Sequence, residues 1–278
     1  MEGTGIGVGR ASVPTNLPSG IRLGEVVGVG ATSTVWRARD RRRGRDLAVK
    51  VLAVPAGGEA RERTVARFEH ETRALARLAD APHVLPLLTA GSDGSCCWLV
   101  TPLAEAGLFE RAPLALADLL DVAAATAGAL EAAHAAHVVH GDVTPANVLW
   151  LDGRPVLSDF GLSVLRSGEA GLRTDGAAPG DPAARGATPG WAAPERWDGA
   201  PPTEASDVYG WGATIWTAGV GERPPGHDPP PVGLLPRGID AIVRACCEPT
   251  PRRRPSAAEV RAMVAGEVRR RDRYCPEP

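Results

Sequence analysis

The sequence is short of several residue types, and the scarcity of lysine is the most informative. Lys50 is the only lysine among 31 basic residues, glutamine is absent, and Asn16 and Asn147 are the only asparagines. A lysine ammonium is a compact charge on a flexible stem, whereas the arginine guanidinium is a planar fork, so a narrow phosphate site distinguishes the two. A lysine retained in so arginine-rich a chain therefore predicts a functional role for Lys50.

Other absences narrow the class of protein. The formal net charge of −2 gives no electrostatic reason to expect a nucleic-acid partner. No stretch reaches the roughly 18 apolar residues of a membrane helix, and the first 20 residues lack the apolar run of a signal peptide. The five cysteines include two adjacent pairs and show no zinc-ligand spacing, and neighbouring cysteines rarely bridge. These features predict a reduced, cytoplasmic protein without a membrane partner.

Composition and length predict a globular chain with a substantial core. Hydrophobic residues make up 44% of the 278 residues and charged residues 23%, which is typical of folded domains. A chain of this length suits one two-lobed domain or two small ones.

One stretch carries most of the chemistry. It reads His140-Gly141-Asp142-Val143-Thr144-Pro145-Ala146-Asn147, and Ser158-Asp159-Phe160-Gly161 follows at short range. A carboxylate at Asp142 can orient a hydroxyl nucleophile and take its proton, while Asn147 and Asp159 can hold Mg²⁺ (or Mn²⁺) on a nucleotide's phosphates. The apolar pairs beside these groups predict short buried strands at Val138-Val139, Val148-Leu149 and Val156-Leu157.

Apolar periodicity predicts the remaining elements. Short alternating runs bounded by turn residues predict strands, and spacings of three and four predict helices. The predicted strands are Ile21–Val27, Ser33–Arg39, Asp46–Leu52, His83–Leu88 and Cys96–Thr101, and the predicted helices are Ala60–Leu78 and Leu114–Ala136. A capping box at Ser256-Ala257-Ala258-Glu259 predicts the start of a last helix.

In this order the motifs resemble the catalytic domain of eukaryotic-like (Hanks-type) bacterial serine/threonine protein kinases, over about Arg22 to Val268. The residues that carry the resemblance are the glycine-rich connection Val27–Val35, Leu47-Ala48-Val49-Lys50, the Asp142 and Asp159 motifs, Ala193-Pro194-Glu195, Asp207 and Arg254. The resemblance implies an α+β, bilobal protein-kinase-like fold with a small, mainly antiparallel β N-lobe carrying one helix and a larger, mainly helical C-lobe. It also implies a flexible tail over 1–20, an N-lobe with hinge over 21–103, a C-lobe over 104–270 and a C-terminal tail over 271–278.

The same resemblance implies ATP as cofactor and a set of site residues. Asp142, Lys50 and Glu71 would be catalytic, with Glu71 pairing with Lys50, and Asn147 and Asp159 would bind the metal. The nucleotide would contact Val27, Gly28, Val29, Gly30, Val35, Ala48, Lys50, Thr101, Pro102, Leu103, Ala104 and Leu149. Thr188 would lie next to the substrate hydroxyl, Asp207 would accept backbone N–H bonds from the catalytic loop, and Glu195 would pair with Arg254.

The sequence departs from the family pattern at three positions. Ser33 replaces the third glycine of the glycine-rich loop, Gly141 replaces an arginine that clamps a phosphorylated activation loop, and Thr144 replaces a lysine that touches the transferring phosphate. Gly141 implies activity that is not gated by loop phosphorylation, so alanine at Ser167 and Thr174 is expected to leave activity within a few-fold. Thr144 implies slower transfer, because one cation is missing from the transition state.

Three functions remain open at this point. The first is a serine/threonine protein kinase that phosphorylates protein substrates, including itself at Ser167, Thr174 or Thr188. The second is an ATP-binding scaffold with little catalysis. The third is a small-molecule phosphotransferase of the antibiotic-kinase kind, whose catalytic loop also often reads His-Gly-Asp; the short proline-rich segment Gly221–Gly238, where the family usually has a substrate-docking helix, favours it mildly.

Overall fold

The computed structural model describes residues 13–30, 33–160, 164–165, 188–225 and 228–274. Gly161, Ser167, Thr174 and Cys275 lie outside these ranges. The chain forms two compact units, one built from the residues up to Phe68 with Leu87–Leu103, the other from Glu69–Pro86 with the residues from Ala104 onward. The first unit contains an antiparallel sheet and the second most of the helices, so the predicted α+β class is confirmed.

The first unit is a five-stranded antiparallel sheet in the order β1-β2-β3-β5-β4. Its strands are β1 (Ile21–Val29), β2 (Ser33–Asp40), β3 (Arg45–Ala53), β4 (Thr89–Ser92) and β5 (Cys96–Pro102). Alternation along β3 buries Leu47, Val49 and Val51 in one cluster and leaves Ala48 and Lys50 half-buried on the opposite face. Helix α1 (Gly58–Arg77) begins in this unit, where Phe68 packs with Leu52 and Leu99.

The strand predicted at His83–Leu88 is wrong. Only Val84 makes a β-bridge there, with Leu157, and the strand β4 begins at Thr89. His83 adopts a left-handed φ of 59°, and Pro86 has no N–H to donate. The main chain bonds Leu157 instead, through Leu85 N to Leu157 O (2.9 Å) and Leu157 N to His83 O (2.7 Å).

Part of the predicted N-terminal tail is bonded to the sheet. Asp93 accepts hydrogen bonds from the backbone N–H and the hydroxyl of Thr15 (2.8 and 2.9 Å), and the Trp98 indole donates to Asn16 Oδ1 (2.9 Å). The prediction of a flexible segment over 1–20 did not anticipate these contacts, because 78 and 82 residues separate their partners in the chain.

Within the described ranges, the second unit contains the other helices and five short strands. The helices are α2 (Leu108–Arg111), α3 (Leu116–Ala135), α4 (Pro194–Trp197), α5 (Glu204–Val220), α6 (Arg237–Cys246) and α7 (Ala257–Tyr274). The strands are β6 (Ala106–Gly107), β7 (Val138–Val139), β8 (Val148–Leu151), β9 (Arg154–Leu157) and β10 (Val164–Leu165), paired as β6-β8-β9 and β10-β7. The strands predicted around the catalytic motif are therefore present.

Helix α5 forms the centre of this unit. It is buried from Ser206 through Ala218, and a reciprocal capping box between Thr203 and Ser206 fixes its start. The predicted capping box of α7 is also present, with Ser256 N donating to Glu259 Oε2 (2.7 Å) and Glu259 N to Ser256 Oγ (3.3 Å). No helix within the described ranges is both long and apolar enough to cross a bilayer.

Candidate active site

The catalytic loop is bonded to α5 through one buried carboxylate. Asp207 Oδ2 accepts the backbone N–H of His140 and Oδ1 accepts that of Gly141, both at 2.8 Å. His134 Nε2 lies 2.9 Å from the same Oδ2. The bonds predicted for Asp207 are thus present, and they fix the loop just before Asp142.

His140 joins the loop to the Ser158-Asp159-Phe160 segment. Its Nδ1 lies 3.2 Å from the backbone N–H of Asp142, and its Nε2 lies 2.9 Å from the Ser158 carbonyl. The buried Phe160 ring lies 4.6 Å from the imidazole, so both motifs are held by one side chain.

Asp142 accepts a hydrogen bond from a threonine hydroxyl. Thr188 Oγ1 donates to Asp142 Oδ1 at 2.7 Å. Burial raises the pKa of Asp142, and the negative charge of Asp159 adds to this rise, while the Thr188 hydrogen bond, His140 and Arg196 oppose it. The carboxylate therefore meets a hydroxyl directly and is more basic than an exposed aspartate.

The two predicted metal ligands lie at the same end of the β8–β9 hairpin. Val148 pairs with Leu157, and Ser158 N donates to the Asn147 carbonyl (2.8 Å). Asn147 therefore lies opposite Ser158, the residue that precedes Asp159. Asn147 Nδ2 donates to the Asp142 carbonyl (2.8 Å), which leaves the amide oxygen for a cation. Asp159 is exposed, with a left-handed φ of 59°, a conformation that costs energy in a non-glycine residue.

This donor set fits a hard divalent cation. An amide oxygen and a carboxylate oxygen are ligands that Mg²⁺ accepts, and Mg²⁺ usually takes its remaining ligands from water and substrate phosphates. No group of three or more His, Cys, Asp or Glu side chains that could hold a metal by itself occurs in the described part of the chain. The residues present therefore suit a cation brought with a nucleotide.

One face of the first unit's sheet carries five of its predicted nucleotide-binding residues: Gly28, Val35, Ala48, Lys50 and Thr101. Val35 pairs with both Gly28 and Lys50, and Ala48 pairs with Thr101. Partners in register share a face, and this face is opposite the Leu47 cluster. Gly30 N donates to Ser33 O (2.8 Å) and closes the glycine-rich turn, beside which Val27 and Val29 are exposed.

The other predicted residues are distributed over both units. Pro102 ends β5, Leu103 N donates to Asp46 O (3.4 Å), and Ala104 begins the second unit's main segment, where Leu149 pairs with Gly107. Glu71 is buried on α1 and belongs to the second unit, whereas Lys50 belongs to the first. Their pairing stays a prediction.

The segment that presents Thr188 is anchored on α5 and its C-terminal connection. The Trp191 indole donates to Thr217 Oγ1 (3.0 Å), and Arg223 donates to the Pro189 carbonyl (2.5 Å) with its guanidinium 5.1 Å from the Trp191 ring. Further along, Glu195 makes a two-pronged ion pair with the buried Arg254 (2.7 and 2.8 Å), as predicted.

Comparison with known families decides the assignment. The protein kinase domain model matches residues 21–264. The chain belongs to the protein kinase family.

Known kinases agree with this assignment. Serine/threonine-protein kinase PknK of Mycobacterium tuberculosis is 33% identical over 272 residues, covering 90% of this chain and 23% of that protein. Serine/threonine-protein kinase PkaA of Streptomyces coelicolor is 31% identical over 268 residues, covering 84% of this chain and 47% of its own length. The chain thus spans less than half the length of these relatives.

A crystal structure shares the kinase fold. The Mycobacterium tuberculosis PknI kinase domain aligns with a TM-score of 0.66 at 24% identity, covering 90% of this chain and 96% of that one. The predicted family and fold are therefore confirmed.

Sequence reasoning missed one charged residue of this kinase site. Arg196 follows Glu195 directly, and only 6% of its surface is exposed. It lines a small cavity together with Gly141, Asp142 and Thr188. Its position one residue after the Ala-Pro-Glu motif was visible in the sequence, but its burial was not.

Proposed function

We propose that this chain is an ATP-dependent serine/threonine protein kinase domain that transfers the γ-phosphate of ATP to protein hydroxyls, including its own, in the cytoplasm. The observation that carries the proposal is the 2.7 Å hydrogen bond from Thr188 Oγ1 to Asp142 Oδ1. A threonine hydroxyl is therefore accommodated on the carboxylate that would act on a substrate hydroxyl, and this carboxylate has a raised pKa.

In this proposal Asp142 orients the substrate hydroxyl and takes its proton, which is the role of the corresponding aspartate in kinase chemistry. Asn147 and Asp159 would hold Mg²⁺ or Mn²⁺, which neutralises charge on the phosphates when bound. Lys50, paired with Glu71, would bind the nucleotide's phosphates. His140 and Asp207 keep the loop in place, because both bond its main chain.

Two alternatives are less well supported. A non-catalytic scaffold would not need Asp142, Asn147 and Asp159 together, and all three are present with their loop bonded at both ends. A small-molecule phosphotransferase would not need the Thr188–Glu195 segment that α5 and Arg254 anchor, and the similar curated proteins are named serine/threonine-protein kinases.

Transfer of labelled γ-phosphate from ATP, with Mg²⁺ or Mn²⁺, to the protein itself and to a generic basic protein tests the proposal. Asp142→Asn removes the proton acceptor, and Asp152→Asn is the matched control, since Asp152 is an exposed aspartate in the β8–β9 turn. We expect wild type and Asp152→Asn to transfer label and Asp142→Asn to lose it.

Three other outcomes would count against the proposal. Equal labelling by wild type and Asp142→Asn would remove Asp142 from the chemistry. No label from any variant, with ATP still raising Tm, would favour the scaffold. Label on an aminoglycoside but on no protein would favour the small-molecule enzyme.

A further inference from the structure

The catalytic loop gathers negative charge without a lysine or arginine of its own. Between His140 and Leu149 there is neither lysine nor arginine. The negative charge of Asp159 acts on Asp142. Asp207 is 1% exposed and accepts a hydrogen bond from the loop's main chain. Buried carboxylates that lie close together repel each other unless a cation or hydrogen bonds compensate them.

Arg196 supplies a buried positive charge at this place. It lies in the short helix α4, is 6% exposed, and donates through Nη1 to the Ala200 carbonyl. Burial lowers the pKa of its guanidinium, and Asp142, Asp207 and Glu195 oppose that lowering, with Asp142 the largest of the three. The Arg196 guanidinium and the Asp142 carboxylate therefore attract each other.

The neighbouring glutamate already has another partner. Glu195 binds Arg254 through both carboxylate oxygens, at 2.7 and 2.8 Å. Two parallel hydrogen bonds of this kind are the strong form of an arginine–carboxylate pair. The cavity that Arg196 lines with Gly141, Asp142 and Thr188 measures about 10 Å³, room for about one water molecule. Arg196 and Asp142 thus line the same small space.

We propose that Arg196 is a positioning residue for catalysis, whose buried guanidinium holds Asp142 and the Thr188 segment in the arrangement that accepts a substrate hydroxyl. Arg196 thereby provides a positive charge from α4, whereas the loop itself has Gly141 and Thr144 in place of the family's arginine and lysine. The inference rests on the proposed function in that Asp142 is taken as the proton acceptor.

The test compares Arg196→Met, which removes the charge and keeps much of the volume, with Arg196→Lys, which keeps the charge. We expect Arg196→Met to lower kcat about tenfold or more, the scale at which preorganised charge acts, with KM for ATP nearly unchanged. Arg196→Lys should recover most of that loss. Arg261→Met, which removes an arginine of α7 that pairs with Glu131 (2.5 Å), is the control for the loss of one positive charge and should leave kcat near the wild-type value.

Amide hydrogen exchange gives a second readout that does not need activity. Residues 140–147 should exchange about tenfold faster or more in Arg196→Met, whereas exchange in α7 (Ala257–Tyr274) should stay the same. This readout separates the two hypotheses. Absence of transfer by wild type would defeat the proposed function, and unchanged loop exchange in Arg196→Met would defeat the present inference.

Three further results would overturn the positioning role. The first is a wild-type kcat in Arg196→Met. The second is equal loss in Arg196→Met and Arg196→Lys at unchanged Tm. The third is that neither Arg196→Met nor Arg196→Gln folds, which would make Arg196 a folding residue only.

Discussion

Thr188 and Asp142 are 46 residues apart in the chain, and their side chains meet at 2.7 Å. Sequence similarity placed Thr188 near the substrate hydroxyl, but the direct bond follows only from the fold. The Thr188 hydroxyl orients the Asp142 carboxylate and stabilises its charged form. The position and the charge of this carboxylate therefore both depend on the hydroxyl.

Thr188→Val removes that hydroxyl at nearly constant shape, and Thr188→Ser keeps it. Loss of one partner of a partly buried charged hydrogen bond costs about 1.5–3 kcal/mol, which corresponds to roughly a tenfold to hundredfold change. We expect Thr188→Val to lower kcat by about that factor and Thr188→Ser to stay near wild type. Steady-state phosphorylation of a protein substrate measures both, and a Val variant as fast as the Ser variant would contradict the expectation.

At the scale of elements, α5 reaches the catalytic loop through a glycine. A Cβ added at Gly210 would lie 2.8 Å from the Val143 carbonyl oxygen and 3.2 Å from its Cβ. That distance is too short for a methyl group against backbone, and Val143 adjoins Asp142. The absence of a side chain at Gly210 therefore sets how closely α5 approaches Val143 and the adjoining Asp142, the proposed proton acceptor.

Gly210→Ala should destabilise the protein by about 1–3 kcal/mol, the usual cost of overpacking, and lower kcat as well. Gly266→Ala in α7 is the matched control, because no atom lies within 4 Å of its added Cβ. It should stabilise the helix by about 0.5–1 kcal/mol through propensity. Urea unfolding measures the change in the free energy of unfolding for each variant. A stabilised Gly210→Ala variant would show that α5 does not pack tightly against the loop.

The elements also show where sequence patterns succeed. Strands β1 to β3 and β5 and helices α1 and α3 were predicted within three residues at each end, because each has a regular apolar period. The strand at His83–Leu88 failed because a left-handed His83 and Pro86 divert its backbone to Leu157. Helix α6 was missed, although Ile239, Ile242, Val243 and Cys246 have helical spacing and are buried, because the proline-rich run before it dominated the pattern.

For the whole molecule, the order of motifs predicted the family and the fold class, since each motif is local in sequence. Contacts between distant positions were not predictable from periodicity. The bond from His134 to Asp207 and the burial of Arg196 both depend on how α3, α4 and α5 pack. In an arginine-rich sequence, nothing in the local pattern distinguishes a buried charged residue from an exposed one.

The composition of the whole chain provides the last test. Because Lys50 is the only lysine, an acyl-phosphate derivative of ATP, which acylates amines near bound phosphates, has one side-chain target. We expect labelling of Lys50 that excess ATP with Mg²⁺ suppresses, since a bound nucleotide would place its phosphates at this amine.

Tryptic digestion reads the outcome directly. An unmodified chain is cut after Lys50, whereas acylation blocks that cut and joins residues 46–61 into one peptide that ends at Arg61. Lys50→Arg is the control and should give no acylated 46–61 peptide. Labelling that ATP does not suppress would show that Lys50 is merely reactive, and label only at the N-terminal amine would remove Lys50 from the nucleotide site. Suppression by ATP would place the chain's single lysine at the phosphates, which its retention among so many arginines predicts.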